Sequence, residues 1–371
     1  KKLSDYPELL EKYKAIKRHS TPPITRIHDD RCGGCNMQHI DIDFQRELRK
    51  QMLADCFERE GINVPEIEII SGEQANYRSR IQLTDGGLNE KQSNNILKLD
   101  FCPIATDEIN SYLKNVSQEQ RPLGRVHFFG DKRIVSSAQN EYDHLVIADE
   151  TKKELWASKQ VGKSKKKAKN KVRQRFAGTL ADTRNNCTVC ILGKQIEFDV
   201  QGFFQSNMDV LEKTIKAVTF NMGGENVLDM YCGAGTFSVF LADIFKKTTL
   251  VEHNRDALVH AEVNMAGKAH ETYGLSGSRW VKENAPMILE KNGPFDAVVI
   301  DPPRSGMEKE VCSWLCKNKT AQIRSISCDP ATQARDASYL IKSGYKLTKL
   351  YLLDFYPQTS HIESLAYFEF V

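Results

Sequence analysis

Cys328 follows the short strand-like run Ala321-Gln-Ile-Arg-Ser-Ile-Ser327 and stands two residues before Pro330, which stops the strand. A thiol where a strand opens into a loop meets polar groups and can serve as a nucleophile; a small hydrophobe packed in the core is the alternative reading. Glu363 lies just before the strand-like run Leu365–Phe370, with His361 two residues upstream. Asp301 ends the run Asp296-Ala-Val-Val-Ile-Asp301 and leads into Pro302-Pro303-Arg304. Together these offer a nucleophile, a carboxylate or imidazole base, and a second carboxylate that can recognise a polar edge.

The elements that must position them follow from periodicity. From Gly202 onward strands alternate with helices, the pattern of a doubly wound, mostly parallel sheet. Asn226–Met230 reads as a buried strand, followed by the loop and helix Tyr231-Cys-Gly233-Ala-Gly235-Thr-Phe-Ser238 onward. Thr249–Glu252, Asp296–Asp301, Ala321–Ser327, Tyr345–Leu353 and Leu365–Phe370 read as further strands. Glu66 to about Val200 alternates in period two, as a smaller, mainly antiparallel β domain would. Phe44–Glu60 reads as a helix ended by Gly61 that packs on the catalytic domain. The expected division is a 1–30 extension, a 31–200 central β-rich domain and a 201–371 catalytic domain.

Composition narrows the class. The 371 residues are 40% hydrophobic and 27% charged with a net charge of +3, which describes an ordinary soluble protein. The sequence has no membrane-length apolar run and no signal-peptide core at its amino terminus, so a cytoplasmic location is expected. The ten cysteines are scattered and read as reduced thiols. Eight lysines and arginines from Lys163 to Arg175, with no acid among them, form either a phosphate-binding stripe or a solvated face. Cys32-Gly-Gly-Cys35 can fold tightly around a metal or cluster, with Cys102 the best-placed further ligand. Cys187 and Cys190 fall on opposite faces of one strand and read as structural.

A glycine loop after the first strand and an acid, Glu252, closing the second hold a nucleoside, the carboxylate taking the ribose hydroxyls. A dinucleotide fingerprint wants a third small residue where Ser238 stands, and Asp229 at the strand end suits the cationic methionine part of S-adenosylmethionine. The loop therefore favours the methyl donor and a Rossmann-like class I methyltransferase domain. In enzymes of that architecture the Asp301-Pro302-Pro303 corner faces methyl and acceptor. Arg304 in place of an aromatic residue argues against an exocyclic amine acceptor, and the corner lacks the cysteine of cytosine methyltransferases. Carbon 5 of uracil becomes nucleophilic once a thiolate adds to carbon 6, and a base must then remove the carbon-5 proton. Cys328, Glu363 (or His361) and Asp301 match those needs, with Arg335 or a helix amino terminus lowering the thiol pKa.

On these residues the chain resembles the RNA 5-methyluridine methyltransferases of ribosomal and transfer RNA, from about Arg31 to Val371. The resemblance rests on Phe203-Phe-Gln205-Ser-Asn207, Asp229–Phe237, Asp301–Gly306, Ser327–Asp336 and Pro357–Glu363. It implies Cys328 as nucleophile and Glu363 as base, with Gln205, Tyr231, Thr236, Glu252, Asn284 and Asp301 around the cofactor. Many ribosomal members carry a 4Fe–4S cluster, whose ligands Cys32, Cys35 and Cys102 would match. The first ligand has no cysteine counterpart in Thr25–Arg31, which leaves His28, Asp29 or Asp30, another occupant, or a relic. About thirty residues precede Cys32, too few for the leading RNA-binding barrel of many relatives. A flipped uridine is expected to be held by Phe203 or Phe204 and Arg78 or Arg80. The expected substrate is large-subunit ribosomal RNA, with transfer RNA as the alternative, and a monomer is expected. A non-catalytic RNA-binding relative and a dinucleotide oxidoreductase are the competing classes.

Overall fold

Continuous apolar runs such as Ala297–Ile300 need cover on both faces. The computed structural model, which describes residues 31–137, 142–149 and 185–370 together with Glu8 and Glu11, gives them that cover. The Lys163–Arg175 run, His28, Asp29 and Asp30 lie outside the described residues. The described chain opens with helix α1 (Ile42–Arg59) and strand β1 (Ile67–Ile70). The central part holds β2 (Arg80–Thr84), β3 (Leu88–Asn89), β4 (Ile96–Leu97), α2 (Asp107–Asn115), β5 (Arg125–Gly130), β6 (Ile134–Ser137), β7 (Leu145–Asp149), β8 (Asn186–Ile191) and β9 (Lys194–Asp199). The catalytic part starts with α3 (Met208–Thr219), β10 (Gly224–Met230), α4 (Ser238–Leu241), β11 (Phe245–Val251), α5 (Arg255–Asn264) and β12 (His270–Tyr273). It continues through α6 (Gly277–Glu283), α7 (Ala285–Asn292), β13 (Ala297–Ile300), α8 (Lys309–Asn318), β14 (Gln322–Ser327), α9 (Pro330–Lys342), β15 (Tyr345–Leu353) and β16 (Glu363–Phe370).

Eight strands form one sheet in the order β1-β15-β16-β14-β13-β10-β11-β12, parallel except for β16. Alternate residues feed two cores: Leu228, Met230, Val298 and Ile300 face one layer with Leu53 and Phe57 of α1. Val227, Ala297 and Val299 face the other, with Leu211 and Ile215 of α3. Among the described residues no helix is long and apolar enough to cross a membrane.

The central region holds three small antiparallel sheets, β2-β5-β7, β3-β4 and β6-β8-β9, as its period-two alternation indicates. Two features differ from the sequence reading. The run Ile67–Ile70, expected in the central domain, is instead the parallel edge strand beside β15, pairing Ile67 with Leu350 through Ile70 with Leu353. Period-two alternation reveals a strand but not its partner. Likewise β8 and β9 share a core with α3 and β10.

Candidate active site

The register of the one antiparallel strand brings the chemistry together. Ser327 pairs with Ser364, so Cys328 leaves β14 where Glu363 enters β16. Asp329 caps α9 through hydrogen bonds to the Ala331 and Thr332 amides at 3.0 and 2.9 Å, fixing the turn that exposes Cys328. Asp301 follows β13, one strand over. All three line one cavity of about 1050 Å³.

Glu363 is buried, and burial followed by the charge of Asp301 pushes its carboxyl up to about 8, against the pull of Arg304. Burial and the charges of Asp229 and Glu252 push Asp301 up to about 7. Burial raises the Cys328 thiol as well, reinforced by Glu363 and Asp301 and opposed by Arg304 and a backbone N–H. The expected counterweight was a helix amino terminus or Arg335. That guanidinium instead holds Asp336 at 2.9 and 2.7 Å and the Ser305 carbonyl at 3.1 Å. It lies more than a turn into α9, too far along to serve the helix's first residues. His361 shares the cavity; burial, Arg304 and Arg78 lower its pKa.

The cavity's other end is built by the glycine loop. Tyr231 adopts φ 64°, in the left-handed region that non-glycine residues seldom occupy, a strain often stored at functional sites. Its hydroxyl donates to Glu308 Oε2 at 3.2 Å, and the same oxygen accepts from the Ser278 amide at 2.9 Å. A Cβ on Gly235 would lie 3.2 Å from Ala261 Cβ, so glycine allows the loop to press on α5. Glu252 accepts from the Gly233 amide at 3.1 Å and the Asn254 amide at 2.7 Å. Gln205 and Thr236 also line the wall, and the buried Gln205 Oε1 has no hydrogen-bond partner among the described residues. An unpaired amide, a glycine loop and the mutually repelling carboxylates of Asp301, Asp229 and Glu252 fit a cationic nucleoside such as S-adenosylmethionine.

Four expectations shift. Asn284 does not line the cavity: it is buried at the α6–α7 junction, its backbone N–H donating to the Trp280 carbonyl and its side-chain Oδ1 without a hydrogen-bond partner among the described residues. Phe204 touches the cavity, yet it is buried and stacks on Phe198 at 3.8 Å, whereas Phe203 beside it is 71% exposed. Arg80 lies off the cavity with Nη2 on the Gln201 carbonyl at 3.4 Å. Arg78 lines it, its guanidinium 6.0 Å from the Tyr356 ring centre. The fourth concerns the cysteines. Cys35 is raised to about 12 by burial and then by Cys102 and Cys32, so the three thiols are neighbours. Among the described residues, however, no group of three or more His, Cys, Asp or Glu is arranged to hold a metal ion. Those residues alone do not make a 4Fe–4S site. Sequence reading also passed over Tyr356 and Glu308, which line the cavity without belonging to a motif.

The fold and this cavity define a class I S-adenosylmethionine-dependent methyltransferase. The family model for tRNA (Uracil-5-)-methyltransferase matches residues 43–370. An uncharacterized RNA methyltransferase of Treponema denticola is 34% identical over 397 residues, covering 97% of this chain and 86% of that protein. The 23S rRNA (uracil(1939)-C(5))-methyltransferase RlmD of Aliivibrio fischeri is 28% identical, covering 100% and 86%. The crystal structure of Pyrococcus abyssi tRNA (uracil-54, C5)-methyltransferase with S-adenosyl-L-homocysteine shares the fold, with a TM-score of 0.64 and 20% identity over 93% of this chain and 88% of that one. The chain belongs to the tRNA (Uracil-5-)-methyltransferase family and is an S-adenosylmethionine-dependent RNA (uracil-5-)-methyltransferase.

Proposed function

We propose that this enzyme methylates carbon 5 of a uridine in large-subunit ribosomal RNA through a covalent bond between Cys328 and carbon 6. The observation that carries the mechanism is the shared cavity of Cys328 and Asp301, at the carboxyl ends of β14 and β13, with Glu363, at the amino end of the antiparallel β16. The ribosomal substrate is supported by similarity to a 23S rRNA enzyme along the whole chain.

The exposed Cys328 thiol loses its proton to solvent and its sulfur bonds carbon 6, while the carbon 5–carbon 6 electron pair moves toward O4 as an enolate. Asp301 hydrogen-bonds the uracil edge. Gln205, Tyr231, Thr236 and Glu252 would hold S-adenosylmethionine, which would supply the methyl group for carbon 5 and leave as S-adenosylhomocysteine. Glu363 then takes the carbon-5 proton, the double bond re-forms, and Cys328 leaves as thiolate. The target base must leave its stack to reach this depth, and Phe203 and Arg78 at the cavity are suited to hold it or its neighbours. A 4Fe–4S cluster on Cys32, Cys35 and Cys102 would take its fourth ligand from His28, Asp29 or Asp30; iron and acid-labile sulfide in anaerobically purified protein test it.

Incubation with methyl-labelled S-adenosylmethionine and unmodified 23S rRNA, followed by nucleoside analysis, tests the reading. It predicts labelled 5-methyluridine, abolished by Cys328→Ala. Label appearing only with transfer RNA would move the substrate, and label that survives Cys328→Ala would remove the covalent mechanism.

A further inference from the structure

Almost everything around Cys328 opposes a negative sulfur. Glu363 and Asp301 repel it, the Tyr356 phenol interacts with it, and partial burial strips its water. His361 lines the same cavity. Two arginines line the cavity, Arg78 and Arg304; the charge of Arg304 favours the ionised sulfur and also acts on Glu363 and His361. Arg304 is exposed on the cavity wall, and its guanidinium forms no ion pair among the described residues.

An exposed arginine on a free loop would spend little time at the nucleophile. This loop is held. Thr332 Oγ1 donates to the Arg304 carbonyl at 3.2 Å and Arg335 Nη2 to the Ser305 carbonyl at 3.1 Å. Asp336 Oδ2 accepts from the Met307 amide at 2.7 Å, and Oδ1 binds Arg335. Gly306 between them has φ 79°, and a Cβ there would come within 2.7 Å of Asp336 Oδ2. All three holding residues stand on α9, the helix that starts two residues after Cys328. Nucleophile and loop are thus tied to one rigid element.

We propose that Arg304 stabilises the Cys328 thiolate and the enolate that follows, and that Thr332, Arg335 and Asp336 are positioning residues that keep it at the sulfur. The proposal rests on Cys328 being the nucleophile. Arg304 exchanges no atoms; its charge makes the loss of the thiol proton less costly and offsets the charge that moves to O4.

The test is alkylation of Cys328 by iodoacetamide in the full chain without RNA or cofactor, from pH 6 to 10, read by peptide mass spectrometry. An opposite charge nearby favours the ionised form by a unit or more. Arg304→Met should therefore slow alkylation at pH 8 by about tenfold and raise the midpoint by about one unit, while Arg304→Lys restores much of the rate. Asp336→Asn and Thr332→Val should raise the midpoint by less. An unchanged midpoint in Arg304→Met overturns the role of Arg304. A lower melting temperature with an unchanged midpoint in Asp336→Asn and Thr332→Val makes the three residues merely structural and overturns the positioning role. Methylation that persists in Cys328→Ala would instead defeat the covalent mechanism, whatever the alkylation profile.

Discussion

Arg49 Nη2 donates to Asp354 Oδ1 at 2.7 Å with both side chains fully buried. Arg46 Nε takes the other oxygen at 2.8 Å. The pair joins α1 to the end of β15, where the chain enters the segment leading to Glu363. Breaking a buried pair leaves an uncompensated charge, at a cost of about 3–5 kcal/mol. Asp354→Ala should lower unfolding stability by that order in urea and reduce methylation with it. A loss under about 1 kcal/mol would show that the ion pair does not anchor the segment.

Removing the base after the nucleophile has attacked strands the adduct. Glu363→Gln should abolish turnover yet accumulate a protein–RNA species that survives denaturing electrophoresis in the presence of S-adenosylmethionine. Cys328→Ala should form none. Full turnover by Glu363→Gln would transfer the base role to His361.

Glu363 must be ionised to accept a proton, and its pKa of about 8 places the change near neutrality. The kcat/KM should climb with pH up to about 8, more steeply if the raised Cys328 thiol contributes. A flat profile from pH 6 to 9 would contradict this. Stability runs the other way: the folded state holds the proton more tightly than the ordinary 4.5, so this contribution is full below pH 4.5 and lost as pH rises to about 8. Glu363→Gln should be more stable than the parent above pH 8, by on the order of 2 kcal/mol, read by thermal melts.

Glu252 supports the cofactor loop through two amide hydrogen bonds and faces the cavity. A charged acceptor contributes about 1.5–3 kcal/mol, so Glu252→Ala should weaken S-adenosylhomocysteine binding tenfold or more by calorimetry. Unchanged affinity would remove it from the cofactor site.

Phe203 presents its ring to solvent at the cavity mouth. Stacking of a base on an aromatic ring is worth about 1–3 kcal/mol. Phe203→Ala should weaken RNA binding about tenfold or more without changing its salt dependence, since no phosphate contact is lost. A change in the salt slope alone would argue against stacking.

The catalytic sheet was legible because its central strand Ala297–Ile300 is buried throughout, and Tyr345–Leu353 runs from alternation into a continuous buried half; both admit few other readings. Cys328 and Glu363 could be singled out because their strands could be bounded. The remainder depended on partners rather than on runs. Nothing in Ile67–Ile70 indicates β15, and nothing in Phe203-Phe204 says which ring faces out. Arg335 was assigned by closeness in sequence, whereas the helical turn of α9 directs it to the Ser305 carbonyl. Asn284 falls at a junction between two short helices, a boundary that pattern does not resolve.

The edge position of β1 also has a mechanical meaning. β1 is laddered to β15 as the chain passes from α1 into the central region, and the central region is paired back at Ser79–Ser206 and Arg78–Asn207 just before α3. The chain is thus held by backbone hydrogen bonds where it leaves the catalytic sheet and again where it returns, so turning one part against the other would have to break them.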